Sequence, residues 1–432
     1  MIGHSTGEIS VPQFSDIAVI YLSLAVPDNS QFTNNAVHRN GNLYMQELLC
    51  GLAGAFPDFR ALSAQPVQSW AMRSAQSSWW IPGQRVTIRG TPVTLVPFLN
   101  ITPLKQLIIG AGMLSRMLVW GLGRHSKKRV IVLFNLSVPS PLFVWVAAKL
   151  TRSKIVAYVC DVNVPGHTVP DTLLFRLDYW LQRQLLPCID GLAVITDRIA
   201  IDFAPKVRYV RIDGGVPPEI TLAPRSPTNQ LELQIEPVFR VVVSGKLSAF
   251  NGIAEILSAF ELLKCPHLRL CIAGRGPLAG LVQEAAARDA RVSYLGFLPY
   301  DELVRFHAAA DLLLSIRVSE SLVTRYAFPS KTMEYLASGV PVVATRTGHL
   351  EAEYGDLCYI LNGESPKAIA DAIESIQSLT RVERSEIGDR ARNYMLSKKT
   401  WTCQSKVFAE FVAQTAHGSR PITTASTNSR HG

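Results

Sequence analysis

The sequence predicts an α/β fold in two successive domains, and three observations carry that expectation. Short β-branched runs alternate with helical segments, the rhythm of helices layered on parallel sheets. A stretch rich in Pro, Asn and Thr, "PPEITLAPRSPTNQLELQIEP" at 217–237, interrupts that rhythm in mid-chain. After it the same alternation restarts. With 432 residues, 48% of them hydrophobic, the chain can bury two sizeable cores.

In the first half the strand candidates are "IAVIYLSL" (17–24), "VIVLFNL" (130–136), "KIVAYV" (154–159), "GLAVIT" (191–196) and "VRYVRI" (207–212). In the second they are "FRVVVSGKL" (239–247), "LRLCIAG" (268–274), "VSYLG" (292–296), "DLLLSI" (311–316), "VPVVAT" (340–345) and "LCYIL" (357–361). Helices are expected over 252–264, 277–289, 301–309 and 366–379. Two rounds of one architecture imply two Rossmann-like domains facing each other across a cleft. The expected boundaries are 1–217 for the first domain, 218–237 for a linker and 238–396 for the second. A C-terminal helix over 397–415 could pack back on the first domain. Residues 1–15 and the polar tail 416–432 are expected to be disordered.

Seven scattered cysteines without a C-x-x-C pair argue for a reducing compartment, against a disulfide framework or structural zinc. The net charge of +9 favours acidic partners, but no RNA-binding, zinc-finger or basic-arm motif points to nucleic acid. The longest oily stretch, "QLIIGAGMLSRMLVWGLG" (106–123), carries Arg116 in its middle. A membrane span needs about 20 clean apolar residues, so this segment is not read as one. Followed by Arg124, Lys127, Lys128 and Arg129, it suits an anionic membrane surface. A core helix followed by a solvated basic turn fits the same residues.

Ligands of parallel sheets collect at the carboxyl ends of strands, where helix N-termini present free N–H groups. Three turns of the second half fit. "VSGKLSAFNGI" (243–253) offers Gly245, Lys246 and Asn251, and "IAGRGPL" (272–278) offers Gly274, Arg275 and Gly276. The third, "AFPSKTMEYLASGVPVVATRTG" (327–348), opens a helix at Pro329, Ser330 and Lys331. Backbone donors beside a cation suit a diphosphate. Lys331, Glu334 and Ser338 share one face of that helix, with Met333, Leu336 and Ala337 on the apolar one. Glu334 could accept two hydrogen bonds from a vicinal diol such as ribose. A solvated Lys331–Glu334 pair on an outer face is the alternative.

The segments "SGKLSAFNGIAEILSAFELL", "IAGRGPL", "VSYLGFLPYDELVRFHAAADLLL" and "PSKTMEYLASGVPVVAT" occur in this order across 240–380. Together they resemble the donor-binding domain of the family-4 (group 1) retaining glycosyltransferases, which have the GT-B fold. The first half resembles that family more loosely, through its strands and "LQRQLLPCIDGLAVIT" (181–196). The resemblance implies a retaining, hexosyltransferase-like enzyme that takes sugar from a nucleoside-diphosphate sugar. It makes Glu334 the second glutamate of the family's E-x7-E signature, which holds ribose. Lys246 stands where the family has a diphosphate-binding arginine, keeping the charge without the planar fork.

Three positions depart from the family pattern. Asn251 occupies the place of the second cation, Tyr326 that of the first glutamate, and Cys160 that of a catalytic-pocket histidine. Lys331 and Arg275 are candidates to replace the missing cations. Some branches carry the P-S-K form without the first glutamate. On the acceptor side, Gly41 and Asn42 could open the helix after the first strand, although an ordinary surface loop fits too. Asp161 and His167 end a strand, and Asp161 ranks first of the two. His38, His307 and His349 show no metal-site clustering.

The expectation is therefore a cytoplasmic glycosyltransferase, peripheral at the inner face of the plasma membrane, with Lys246, Lys331 and Asp161 at the reacting centre. Its acceptor would be lipid-linked or a polysaccharide, in cell-surface glycan biosynthesis. No cofactor or metal is expected. The alternatives are a catalytically inactive nucleotide-sugar-binding partner subunit and a nucleotide-sugar epimerase of the same fold.

Overall fold

The structure is a computed structural model. It describes residues 13–29, 31–32, 39–70, 78–102, 104–124, 127–135, 141–217, 219–220, 238–318 and 325–418. The chain divides into two compact units, Met1–Ile212 with Gln404–Gly432, and Asp213–Cys403.

In the first unit, β1 (Ile17–Ser23), β2 (Asp58–Ser63), β4 (Gln84–Ile88), β5 (Thr91–Leu95), β7 (Lys128–Phe134), β8 (Lys154–Val159), β9 (Gly191–Val194) and β10 (Tyr209–Arg211) form one sheet. Its order is β10-β9-β8-β7-β1-β2-β5-β4, parallel except for the β4–β5 pair. β1 is buried along its whole length, which is why "IAVIYLS" reads as a continuous apolar run. Two short strands, β3 (Trp80–Ile81) and β6 (Phe98–Leu99), pair antiparallel beside it. The helices are α1 (Arg39–Ala55), α2 (Leu104–Leu122), α3 (Pro141–Thr151), α4 (Leu173–Leu185) and α5 (Asp197–Phe203).

In the second unit, β11 (Phe239–Lys246), β12 (Leu268–Arg275), β13 (Val292–Tyr294), β14 (Leu312–Ser315), β15 (Val342–Ala344) and β16 (Tyr359–Ile360) form an all-parallel sheet ordered β13-β12-β11-β14-β15-β16. Between the strands run α6 (Ile253–Leu262), α7 (Ala279–Arg288), α8 (Tyr300–Ala308), α9 (Ser330–Ser338), α10 (Leu350–Tyr354) and α11 (Pro366–Ser378). One cluster built on Val241, Ile256, Phe260, Leu270, Leu312 and Ile373 fills its core. Ser365 caps α11 through the Ala368 N–H, with proline in the first turn.

Several expectations change. Strands β2 to β6 were not anticipated; they are short and half polar, and Pro82, Pro92 and Pro97 break the pattern. The C-terminal helix expected over 397–415 is α13 (Trp401–His417), and an unanticipated helix, α12 (Arg381–Lys398), precedes it. A Thr380–Glu383 capping box starts α12. Helix α13 belongs with the first unit, where the Phe408 ring packs edge-on to Tyr158 at 6.0 Å and Gly191 leaves room for Thr415 and Phe411. Ala416 and His417 are therefore helical rather than part of a disordered tail. Phe14 is likewise placed, stacked 5.3 Å from Phe56 and bonded to the Ala55 carbonyl. Residues 1–12, 221–237 and 419–432, with most of the expected linker and tail, lie outside the described residues, as does His38.

Residues 213–217 join the second unit. The Val216 N–H donates to the Lys399 carbonyl at 2.7 Å, and Gly215 sits under the Trp401 ring, where a Cβ would come within 2.5 Å. Among the described residues no helix is long and apolar enough to cross a membrane. The basic quartet after α2 is occupied inside its own unit. Arg124 and Lys127 pair with Asp58, Lys128 pairs with Asp16, and Arg129 donates to the carbonyls of Gly121 and Arg124. Helix α2 buries Ile109, Met113, Met117 and Trp120, so the core-helix alternative holds for that face.

Candidate functional site

The strand order of the second sheet reverses between β11 and β14, and ligands of such sheets bind outside the carboxyl ends of the strands at that reversal. A pocket of about 350 Å³ opens there. Ser244 and Lys246 from the end of β11, Ser315 from the end of β14 and Arg317 just after it, and Ser330 and Lys331 from the start of α9 line it.

Lys331 turns back from α9 so that its Nζ donates to the Ser244 main-chain oxygen at 2.9 Å. Glycine at 245 makes this possible. A Cβ there would stand 1.1 Å from the Lys331 Nζ, and φ of 120° is a conformation that side chains disfavour. Burial pushes the ammonium down to about 8, with the Glu334 charge opposing and the Arg317 charge adding to the shift. At neutral pH the lysine is therefore mostly charged, although burial partly desolvates it.

Below the lysine is a neutral polar floor. The Ser244 Oγ lies 2.9 Å from His307 Nε2 and 3.0 Å from the Tyr335 hydroxyl, which also accepts from the Ser244 N–H at 3.0 Å. Burial, then the Lys331 charge, pushes His307 down to about 3, so its imidazole is neutral. Burial raises the Tyr335 hydroxyl to about 12. Neither residue was assigned to the site from sequence, where His307 was read only as showing no metal-site clustering; the fold buries it beside Ser244 and Tyr335.

Arg317 is a third cation that sequence reasoning passed over. Its guanidinium lies 5.3 Å from the Phe250 ring centroid, and burial pushes it down to about 10, still charged at neutral pH. A basic residue directly after the "DLLLSI" strand was the available signal. Lys246 is exposed, and its side chain makes no hydrogen bond or ion pair among the described residues. Arg275, also exposed, stacks 4.4 Å over the Phe297 ring.

The glycines do different work from that expected. A Cβ on Gly274 would lie 1.8 Å from the Gly245 carbonyl oxygen, and one on Gly276 would lie 2.2 Å from that of Leu247. They let the ends of β11 and β12 meet backbone to backbone. The Gly274 N–H already donates to the Gly296 carbonyl at 2.6 Å, so it is not available to a diphosphate. Asn251 lines the pocket, as expected of a donor-side residue. Its amide nitrogen donates to the Lys246 carbonyl at 2.6 Å and to Ser248 Oγ at 3.3 Å, fixing the loop that carries Lys246.

Helix α9 is buried on every side, not only on an apolar one. Glu334 is 9% exposed and Ser338 8%, because α12 closes over the helix. Arg392 from α12 donates to the Ala337 carbonyl at 2.5 Å, and Gly388 would clash with the Gly339 carbonyl if it bore a Cβ. A solvated Lys331–Glu334 pair on an outer face is therefore ruled out. Pro329 precedes the helix at φ −75° and ψ 80°, and the Thr332 N–H closes onto its carbonyl at 2.8 Å. Tyr326, in the place of the family's first glutamate, packs its ring 5.9 Å from Arg325.

In the first unit the strand order reverses between β7 and β1. Asn42 lies in α1 beside the loop that follows β1. It is buried, accepting from the Val26 N–H and donating to the Val26 carbonyl and Asp28, so it positions that loop and offers no free group. An added Cβ at Gly41, in the first turn of α1, would meet open space. After β7, the Asn135 Oδ1 accepts from the N–H groups of Cys160 and Asp161 at 3.2 and 3.3 Å. Asp161 is exposed at the end of β8, and the Cys160 thiol is held well above its usual range by burial and then by the Asp161 charge. His167 is exposed on a turn tied down by Thr168, whose hydroxyl accepts from the Val164 N–H at 2.7 Å.

His349, read from sequence as unclustered, converges with Asp213 and Glu353. The Asp213 carboxylate takes His349 Nε2 at 3.0 Å, the Tyr354 hydroxyl at 2.5 Å and Lys399 Nζ at 3.2 Å, while Lys399 also pairs with Glu353. The cluster thus contains its own cation.

Residues 238–378 match the family model described as Glycosyl transferases group 1. D-inositol 3-phosphate glycosyltransferase of Corynebacterium glutamicum is 30% identical over 161 residues, 34% of this chain and 37% of that protein. The chain spans 34% to 45% of the length of the curated relatives it matches. Among solved structures, sucrose-phosphate synthase from Thermosynechococcus elongatus superposes with a TM-score of 0.65 at 15% identity, covering 93% of this chain and 100% of that one. Anabaena HepE in complex with UDP gives 0.60 at 16%, covering 92% and 100%. The fold is GT-B, with two Rossmann-like domains.

Proposed function

We propose that this chain, whose residues 238–378 form a group 1 glycosyltransferase domain, transfers a sugar from a nucleoside-diphosphate sugar with retention of anomeric configuration. The observation that carries the reading is the pocket at the β11–β14 reversal, where Lys246, Lys331 and Arg317 converge without a carboxylate among the lining residues. As the glycosidic bond breaks, negative charge grows on the leaving diphosphate, and fixed cations in a partly desolvated site stabilise it more than they stabilise the bound donor. Lys331, with its neutral floor of His307 and Tyr335, is one such cation. Glu334, a turn further along α9, takes the ribose hydroxyls. The chemistry asks for no metal, since lysine and arginine supply the positive charge.

On the acceptor side Asp161 stands beside the reacting hydroxyl, with Asn135 fixing its backbone. The acceptor proposed is lipid-linked or a polysaccharide, in cell-surface glycan synthesis at the cytoplasmic face of the membrane. HepE in its UDP complex shares the fold, which supports a nucleotide donor. A second reading, a donor-binding partner subunit without turnover, draws on Asn251, whose amide is spent on its own loop. Purified protein given a panel of nucleotide sugars and membrane lipids separates the two by mass spectrometry. A glycosylated product supports transfer. Donor binding without product or hydrolysis, across the panel, overturns it in favour of the partner subunit.

A further inference from the structure

The first unit contains a second groove, unrelated to the pocket at β11. It measures about 1150 Å³ and lies between α2 and the strands β2, β5 and β4. It runs over the face of the sheet, because Arg60 is the third residue of β2 and Arg85 pairs with Thr94 near the far end of β5. Three guanidinium groups, Arg60, Arg85 and Arg116, line it, and no aspartate or glutamate does. Arg116 spends one nitrogen on the Gly112 carbonyl of its own helix. Arg60 and Arg85 make no ion pair or side-chain hydrogen bond among the described residues.

The rest of the lining is apolar. Trp80, 42% exposed, and Val119, 73% exposed, belong to the lining, as does the buried Trp120. The Trp120 indole N–H has no acceptor among the described residues, an omission that proteins rarely leave in a buried donor. Leu104, Leu107 and Leu122 continue Val119 along one exposed stripe of α2. Large apolar side chains exposed in a row beside unpaired cations mark a binding surface rather than a random surface.

We propose that this groove binds an anionic amphiphile, a phosphate-headed lipid whose head group meets Arg60, Arg85 and Arg116 and whose hydrocarbon chain follows Trp80, Val119 and the outer stripe of α2. Guanidinium forks suit phosphate oxygens, and an apolar wall beside them suits one chain rather than a polar sugar. The basic turn that follows α2 is paired within its own unit, so the charge that selects the ligand lies in the groove. For a role in seating the acceptor the inference rests on the transfer reading. For binding it stands on the first unit alone.

The test is calorimetry on the full chain with lysophosphatidylglycerol below its micelle concentration, alongside lysophosphatidylcholine, inorganic phosphate and dodecyl maltoside. The anionic lipid should bind one to one and at least about tenfold more tightly than each of the others. The Arg60→Gln/Arg85→Gln double variant should lose about tenfold or more of that affinity while UDP binding is unchanged. Val119→Asn should weaken the lipid and leave phosphate unaffected. Phosphate binding as tightly as the lipid would reduce the groove to an anion site and overturn the proposal. So would equal binding of the maltoside, or an undiminished affinity in the double variant. Lipid binding that persists in a protein with no affinity for any nucleotide would sink the donor reading and leave this one standing.

Discussion

The Lys331 ammonium is held 2.9 Å from the main-chain oxygen of Ser244, in space that exists only because residue 245 has no side chain. Strand β11 and helix α9 are thereby locked together at the proposed diphosphate, and the first prediction follows. Gly245→Ala should expel the lysine from its seat and strain the backbone at φ 120°. A stability loss of about 1–3 kcal/mol is expected from the strain. Urea titration measures it, and nucleotide affinity should fall with it.

Donor binding should depend on pH through Lys331. Its folded pKa, pushed down to about 8, lies below the ordinary lysine value of 10.5. The folded state therefore binds fewer protons between those two values, so the lysine's burial penalty is felt in full below about 8 and relieved as pH rises toward 10.5. A bound diphosphate requires the charged form. UDP affinity should thus be flat below about pH 8 and fall above it. Lys331→Met should be weak and lack that particular fall, which calorimetry across pH would show.

Glu334→Ala should weaken donor binding by removing two charge-assisted hydrogen bonds, each worth roughly 1.5–3 kcal/mol. Glu334→Gln should lose less. An alanine variant with native nucleotide affinity would take Glu334 out of the site.

Lys246 is exposed and its side chain makes no hydrogen bond or ion pair among the described residues, so Lys246→Ala should leave the melting temperature unchanged. Turnover should drop instead, with Lys246→Arg active. Steady-state kinetics on a productive donor check this, and a large change in melting temperature would assign the residue to folding.

Lys399 answers to a different measurement. Burial pushes the Asp213 carboxyl up, but its His349 hydrogen bond and the Lys399 charge win, holding it well below the usual carboxylate range. Lys399→Met should cost about 3–5 kcal/mol, the toll for stranding a buried charge. Because the Asp213 pKa is depressed, its stabilisation is present above the unfolded value of 3.8 and lost as pH falls below it. The variant should show a weaker acid sensitivity, since the His349 and Tyr354 hydrogen bonds to Asp213 remain, as thermal melts at successive pH values would reveal.

Much of this fold was legible because "VVV" of β11 and "LLL" of β14 are buried on both faces and read as apolar runs, while "LRLCIAG" puts Leu268, Leu270 and Ile272 on one buried face. Strands β2 to β6 were not, since proline-broken, half-exposed strands carry little periodic signal. Lys246, Lys331 and Glu334 were found from sequence, and two of them share the pocket at the strand reversal. Asn251 lines that pocket as expected while its amide nitrogen ties down its own loop, and Asn42 was misjudged because an amide that ties down a loop has the same sequence signature as one that binds a ligand. His307, Tyr335 and Arg317 needed the fold, because their convergence spans three separate elements. The basic turn after α2 looked free because its partners, Asp58 and Asp16, are distant in the chain.

The central claim, that the pocket at the β11–β14 reversal binds a nucleoside diphosphate through Lys331, is tested most directly by calorimetric titration of UDP, GDP and ADP into native protein and Lys331→Met. The account predicts one site per native chain for at least one of the three, and a loss of about tenfold or more in the variant, as expected when a charge-assisted contact is removed. Equal affinity in both proteins, or no binding of any nucleotide to the native chain, would contradict it.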